Sequence, residues 1–143
     1  MSAEPFLPDS YLTLVGILLL SLVAVETGGL FLTKVVTGRH PANALQTSFF
    51  RAGHAHAAVL LVLAIALLVP LGQVDPDGIV GVVARTGVPA AAILMPAGFF
   101  LSVLGADPQR PGRLVVLLWV GALSLTAGLL CAGLTILDAG LTG

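Results

Sequence analysis

The fold is decided by an apolar stretch from Phe49 to Pro70, which reads FFRAGHAHAAVLLVLAIALLVP. About 20 helical residues cross the roughly 30 Å of hydrocarbon in a bilayer, so this stretch predicts a membrane-spanning helix. A strand of a membrane barrel is about half as long and alternates apolar with polar side chains, which this stretch does not do. An α-helix also satisfies its backbone polar groups without water.

Three further stretches have the same length and character. They run from Leu12 to Thr33, from Val82 to Leu104 and from Leu114 to Leu137. The connections between the four stretches are short, which makes sequential helices antiparallel neighbours. The sequence therefore predicts an all-α membrane protein with one transmembrane domain, residues 1–143, folded as an up-down-up-down bundle of four helices.

The composition excludes several classes of protein. Hydrophobic residues make up 57% of the 143 residues and charged residues 9%, and the mean hydropathy is +1.08. Soluble domains carry about 25% charged residues, so a soluble enzyme, a nucleic-acid binder and a disordered chain are excluded. The single cysteine, Cys131, excludes an internal disulfide and a CxxC metal site. The lipid bilayer is the first partner that we expect.

The basic residues predict the orientation of the bundle. Five of the six lie in or beside the first and third connections, namely Lys34, Arg39, Arg51, Arg110 and Arg113. The opposite side has only Arg85. Because basic residues accumulate on the cytoplasmic side, residues 34–48 and 105–112 are predicted to be cytoplasmic and both termini outside. The abundance of Ala, Gly, Leu and Val favours a bacterial inner (plasma) membrane.

Small residues recur at helical spacing in every span, and they predict close packing. The pairs are Ala24 and Gly28, Gly53 and Ala57, Gly87 and Ala91, and Gly128 and Ala132. Pairs of this kind let helix backbones approach each other in lipid, either within the bundle or between copies. Some of these faces would otherwise contact lipid, so we expect a homo-oligomer that bulky residues at Gly128 or Ala132 disturb.

Four ionisable residues in the first two spans, Glu26, Arg51, His54 and His56, are candidates for function, because such residues are costly inside a membrane. Glu26 lies about 5 Å to the cytoplasmic side of the middle of its span, His56 about 5 Å and His54 about 8 Å. The first two helices must be neighbours, so a carboxylate and an imidazole at one depth can form a pair. His56 matches the depth of Glu26 better and is the predicted partner.

The spacing of the two histidines argues against a metal site. Residues two apart on a helix are separated by about 200°, so His54 and His56 face nearly opposite ways and cannot bind one metal ion from a regular helix. Arg51 shares a face with His54. It either reaches to lipid phosphates or contributes, with Lys34, Arg39 and Gln46, to an anion site at the cytoplasmic mouth.

Two local predictions concern hydroxyl side chains. Thr47 or Ser48 best fits the N-cap position of the second helix, because a hydroxyl there accepts a bond from a free backbone N–H. Ser124, inside the fourth span, is predicted to donate to a carbonyl of its own helix.

One short segment resembles a known family. Phe50–His54, FRAGH, is similar to the Arg-Ala-His element in the second helix of the membrane-associated glutathione-dependent enzymes. The four short spans and the cytoplasmic first loop resemble that family too, and imply a trimer with a thiol cofactor near Arg51. The chain departs from the family in its inserted Gly53 and in the missing Arg and Tyr of the later helices. That departure removes most of the cofactor chemistry and leaves an architectural likeness.

The sequence favours one function over two alternatives. The leading prediction is a protein that binds or conducts a proton, cation or small solute through Glu26, His54 and His56. The alternatives are a membrane enzyme with a cytoplasmic site near Arg51, or an accessory subunit of a larger complex. A pocket lined by both Arg51 and His54 would favour the enzyme, and a polar path to both membrane faces would favour transport. The small ligand and any cofactor stay unknown.

Overall fold

The computed structural model describes residues 6–143, and these residues form four long helices and no strand. The helices are α1 (Asp9–Val36), α2 (Ala44–Val74), α3 (Gly78–Leu101) and α4 (Val116–Thr142), with a 3₁₀ turn at Arg113–Val115. Each helix is long and apolar enough to cross a membrane, so the prediction of an all-α integral membrane protein is confirmed. The N-terminus, which the predicted topology places outside, lies outside the described residues.

The helices pack mainly on their neighbours in the chain. The α3–α4 contact is the most extensive, followed by α2–α3 and then α1–α2, while α2 touches α4 over a smaller area. Most buried side chains accordingly belong to α2 and α3. Their core includes Leu61, Ala64 and Leu68 of α2 against Ala84 and Val88 of α3. Helices α1 and α4 each keep a long exposed apolar side, as expected of helices in contact with lipid.

The contact between α3 and α4 depends on glycine. A Cβ atom on Gly87 would lie 2.6 Å from the Cα atom of Gly128, closer than any real contact. Gly128 thus packs within the chain, and Ala132 is also fully buried, which is one of the two packing roles expected of the small residues. The effect of bulky residues at these positions on assembly stays a prediction. Ser124 Oγ donates to the Gly87 carbonyl at 2.9 Å, so the prediction of a bond within its own helix was wrong. Because the backbones of α3 and α4 approach closely here, the Gly87 carbonyl of α3 lies within hydrogen-bonding distance of the Ser124 hydroxyl of α4.

Helix α2 begins earlier and ends later than its predicted span of 49–70. Asn43 is its N-cap, because the Asn43 side chain accepts from the Gln46 N–H at 2.8 Å while Gln46 Oε1 accepts from the Asn43 N–H at 3.0 Å. This reciprocal pair is a capping box, and it leaves Thr47 inside the first turn. The prediction of a cap at Thr47 or Ser48 was therefore wrong. The helix also continues through Pro70 to Val74.

The same two side chains connect the two loops at the basic end of the molecule. Gln46 is buried, and its amide nitrogen donates to the carbonyls of Val103 at 3.1 Å and Gly105 at 3.0 Å. The Asn43 amide donates to Asp107 Oδ1 at 2.7 Å. The start of α2 is thus held against the end of α3, which fixes the position of the residues that follow on α2.

At the opposite end, three helices meet around a buried tyrosine. Tyr11 of α1 is fully buried, and the Arg85 guanidinium of α3 lies 5.4 Å from the centre of its ring. Arg85 also lies 3.9 Å from the carboxylate of Asp75, the residue after α2. The α1–α2 contact is therefore closed at this end.

Candidate functional site

His54 of α2 lies across two adjacent glycines of α1. A Cβ atom on Gly28 would be 3.6 Å from His54 Nδ1, and one on Gly29 would be 3.3 Å from Cε1 and 3.5 Å from Nε2. A Cβ at position 28 would make ordinary contact with the ring, and one at position 29 would move it by a few tenths of an ångström. The Gly28–Gly29 pair thus lets an imidazole lie against the backbone of a neighbouring helix.

The imidazole of His54 is part of the wall of a groove between α1 and α2. This His54 groove has a volume of about 280 Å³, and its other lining residues are Gly29, Leu32, Thr33, Val36 and Thr37. Thr33 Oγ1 donates to the Gly29 carbonyl at 3.0 Å, and Thr37 Oγ1 donates to the Thr33 carbonyl at 2.8 Å. Each hydroxyl oxygen can still accept a hydrogen bond. The groove therefore offers polar atoms from His54 toward the basic end of the bundle.

Glu26 lies on the same side of α1 as this groove. Residues 26, 29 and 33 follow one another at spacings of three and four, which places them along one face of the helix. Glu26 is exposed, and among residues 6–143 no hydrogen bond or ion pair joins it to His54 or His56. A charged side chain facing lipid at mid-membrane costs about 3 kcal/mol. We therefore expect the Glu26 carboxyl group either to pair with another group or to carry a proton.

His56 faces the opposite way, toward α3. Its ring centre is 4.9 Å from that of Phe99, and it lines a groove of about 170 Å³ with Ala55, Val59 and Leu60, here called the His56 groove. His56 Nδ1 lies 2.8 Å from the Ala52 carbonyl. A carbonyl only accepts, so we assign the proton of this bond to Nδ1. Nε2 then keeps its lone pair for another group.

The predicted opposition of the two histidines is confirmed, because His54 contacts α1 and His56 contacts α3. The structure brings His54, and not His56, to the side of α2 that faces α1.

The depths of Glu26 and His56 in the membrane can be compared by counting residues along α1 and α2. His54 lies level with Gly28 and Gly29, and the two helices are antiparallel. Two residues further along α2, about 3 Å, His56 is level with residue 26 of α1. His56 thus shares its depth with Glu26 but not its side of the bundle.

Arg51 belongs to a different groove. It is exposed and lines a volume of about 470 Å³ with Ala42, Ala44, Thr47 and Ser48, here called the Arg51 groove. His54 is not among the residues that line it, so the two do not share a pocket. Gln46 is turned into the protein, where it bonds to Val103 and Gly105. The anion site predicted with Gln46 is therefore not formed as expected.

The His54 groove extends to one side of His54, toward the basic end. Toward the closed end, the α1–α2 contact consists of buried apolar side chains such as Leu18, Leu61 and Leu68. Among residues 6–143 there is also no group of three or more His, Cys, Asp or Glu side chains that could hold a metal ion. The polar atoms that line the His54 groove thus lie between His54 and the basic end, while toward the other end the Ser21 hydroxyl is bonded to the Ile17 carbonyl of its own helix.

Comparison with known protein families, with curated proteins and with solved structures finds no match for this chain. The similarity to the membrane-associated glutathione-dependent enzymes consequently rests on the Phe50–His54 segment and on the number of helices. The function has to be argued from the chemistry of the grooves.

Proposed function

We propose that this membrane protein binds and releases a proton at Glu26 and His54, which exchange it with water at the basic end through the His54 groove. The observation that carries the proposal is the position of the His54 imidazole. It lies on Gly28 and Gly29 beside the groove, with Glu26 one helical turn away on the same face of α1.

The residues present have the chemistry that proton exchange requires. An imidazole can accept a proton on one nitrogen and donate from the other, and histidine ordinarily changes charge between pH 5 and 8. A carboxylate within a membrane is a usual component of proton relays. The hydroxyl oxygens of Thr33 and Thr37 can hold water in the groove between these groups and the bulk. The carboxyl group, the imidazole, the two hydroxyls and the water between them can therefore form a path of hydrogen bonds from Glu26 to the bulk solvent.

The one-sided groove favours binding over conduction by a single chain. The buried side chains beyond Glu26 are apolar up to Tyr11, and the half-buried Ser21 hydroxyl is bonded to its own helix, so we expect a proton that reaches Glu26 to return by the route it entered. Passage across the membrane would need a second route, formed with another chain. The proposal is therefore a proton-binding element with access from one face.

A hydrophobic carbodiimide tests this proposal, because it reacts with protonated carboxyl groups in the membrane. We expect it to modify Glu26 in proteoliposomes, with a yield that falls as the pH of the solution rises. Peptide mass spectrometry measures the yield. His54→Gln is expected to move the pH of half-maximal labelling, since it removes the neighbouring titratable group.

His40→Gln is the matched control, because His40 is an exposed loop histidine that packs on Phe31. It should leave the labelling profile unchanged. Labelling of Glu26 that does not depend on pH, or an identical profile in the wild type and in His54→Gln, would contradict the proposal.

The direction of access is tested separately by labelling of single cysteines in a Cys131→Ala background. Ala106→Cys and Asp77→Cys place exposed thiols at the two ends of the bundle. If residues 105–112 are cytoplasmic, an impermeant maleimide added to intact cells should label the Asp77 variant alone. Labelling of both variants from outside, or of the Ala106 variant alone, would overturn the predicted orientation.

A second candidate function is supported by the Arg51 groove. It combines a guanidinium with the hydroxyls of Thr47 and Ser48, a set of donors suited to an anionic ligand. This arrangement fits a site for an anionic ligand, of which glutathione is the one that the family resemblance implies, although His54 does not line the groove as the enzyme prediction required. Calorimetry in nanodiscs should then detect glutathione binding that Arg51→Gln abolishes and Arg113→Gln retains. No binding heat with the wild type would contradict this second function.

A further inference from the structure

We propose that the exposed face of α1 around Glu26 packs into the His56 groove of a second copy of this chain, so that the carboxylate meets the neighbour's imidazole. The partner is thus another copy, and each contact between copies completes one ionic pair.

The first observation is the surroundings of Glu26. The exposed residues on its side of α1 include Val23 and Leu30, with exposed fractions of 61% and 66%. A carboxylate in the middle of such a surface faces hydrocarbon unless a protein covers it. The basic side chains of the chain lie near the helix ends, so a cationic partner at mid-membrane must be a histidine. Among residues 6–143 of one copy, no cationic group pairs with Glu26.

The second observation is that His56 offers the complementary group. Its Nδ1 is engaged by the Ala52 carbonyl, which leaves Nε2 for a partner in the His56 groove. Ala55 and Val59 line the same groove and are exposed, and a small residue such as Ala55 allows close approach of another helix. The groove therefore has room for a side chain of another helix, and once Nε2 takes up a proton the imidazolium can donate to a carboxylate.

The third observation is the equal depth of the two groups. Because His54 lies level with Gly28 and Gly29, His56 lies level with residue 26 of α1. Copies in a closed membrane oligomer are related by rotation about the membrane normal, which keeps every atom at its depth. Such a rotation brings Glu26 of one copy to His56 of the next without a shift along the normal. Within one chain the two residues lie on different sides of α2.

Disulfide crosslinking in membranes tests the contact directly. Val23 lies one turn from Glu26 and Val59 one turn from His56, both toward the same membrane face, and both are exposed. We expect Val23→Cys with Val59→Cys, in a Cys131→Ala background, to give covalent dimers and larger species after mild oxidation. Gel electrophoresis without reductant measures the yield, and a crosslink within one chain leaves the mass unchanged.

Ala24→Cys with Val59→Cys is the matched control. Ala24 has the depth of Val23 and is exposed too, but it points about 100° away around α1. Because only cysteines with Cα atoms within about 7 Å can be bridged, we expect about tenfold less dimer from this pair. Equal yields from the two pairs, or no dimer above the single-cysteine variants, would overturn the proposal.

Glu26→Gln in the crosslinking background tests the ionic pair. It is expected to reduce the dimer yield severalfold, whereas Asp9→Asn, in the first turn of the same helix, should not. An unchanged yield would contradict the role of the carboxylate. The crosslink reports contact between copies whether or not Glu26 exchanges protons, so failure here is distinguishable from failure of the carbodiimide experiment.

Discussion

The α3–α4 and α1–α2 contacts both contain glycine, but they use it for different purposes. In the α3–α4 contact, Gly87 and Gly128 meet backbone to backbone, and a Cβ on either would come within 3 Å of the other helix. In the α1–α2 contact, Gly28 and Gly29 meet the ring of His54 at 3.3 to 3.6 Å. At Gly87 and Gly128 the first contact leaves no room for a side chain between the two backbones, whereas the second admits the imidazole of His54 beside a groove.

From this difference we infer that the α3–α4 contact mainly stabilises the bundle, whereas the α1–α2 contact contains the candidate functional groups. Close contact of backbones gains dispersion energy, which together with hydrogen bonds drives helix association in lipid. A contact that leaves a groove gains less but keeps polar atoms accessible. We therefore expect substitutions in the α3–α4 contact to change the free energy of unfolding, and substitutions at Gly28 or Gly29 to change the behaviour of Glu26 and His54.

The largest expected effect is that of Gly128→Leu. Its side chain would collide with the backbone of Gly87 and Val88, which cannot move without separating α3 from α4. We expect a loss of more than about 3 kcal/mol in the free energy of unfolding, or no folded protein. Unfolding in mixed micelles with increasing denaturing detergent, followed by circular dichroism, measures the loss.

Gly133→Leu is the control for this substitution, since it lies on the same helix and a Cβ there meets nothing within 4 Å. It should unfold like the wild type or later. If both variants lose a similar free energy of unfolding, the close backbone contact at Gly128 is not what stabilises the α3–α4 packing.

A smaller effect is expected for Ser124→Ala, which removes the hydrogen bond to the Gly87 carbonyl. Hydrogen bonds between membrane helices contribute about 0.6 kcal/mol on average, so we expect a loss of roughly 0.5 to 1 kcal/mol. Thr126→Ala is its partner variant, because that hydroxyl donates to Ala122 of its own helix. If Thr126→Ala costs as much in the same unfolding assay, the bond between helices has no special weight.

The sequence was sufficient for the helices because length and apolarity alone require them in a membrane. It was insufficient for their ends, which depend on specific pairs of side chains. The Asn43–Gln46 capping box begins α2 before its apolar run starts, and Gln46 also bonds to the end of α3. The bonds from Gln46 to the Val103 and Gly105 carbonyls join residues nearly 60 positions apart. A hydropathy pattern contains no information about them.

The candidate site was predictable in its angles and depths but not in its contacts. Helical periodicity separates His54 from His56, and counting along antiparallel helices gives the shared depth of Glu26 and His56. Which neighbour lies on which side of α2 depends on the packing of the whole bundle, so the sequence could not show that His54 contacts α1 and His56 contacts α3. The pairing of Glu26 with His56 stays a prediction. The Gly28–Gly29 dipeptide and the spacing of Gly29, Thr33 and Thr37 were the signals that could have indicated the groove.

The smallest effect on stability, and the sharpest test of the comparison, is expected from Gly29→Ala. The added methyl group would lie 3.3 Å from His54 Cε1, so the ring must move by a few tenths of an ångström. Alanine is also favoured over glycine in a helix by about 1 kcal/mol, which offsets the crowding. We therefore expect the free energy of unfolding to stay within about 1 kcal/mol of the wild type.

The carbodiimide profile of Glu26 should change in Gly29→Ala all the same, because the imidazole beside the groove has moved. Gly16→Ala gives the comparison on the same helix, since a Cβ there meets nothing within 4 Å. It should have the same helix-forming benefit and an unaltered profile. If the profile is identical in both variants and in the wild type, the position of the His54 ring does not influence the protonation of Glu26. The α1–α2 contact would then differ from the α3–α4 contact in tightness alone.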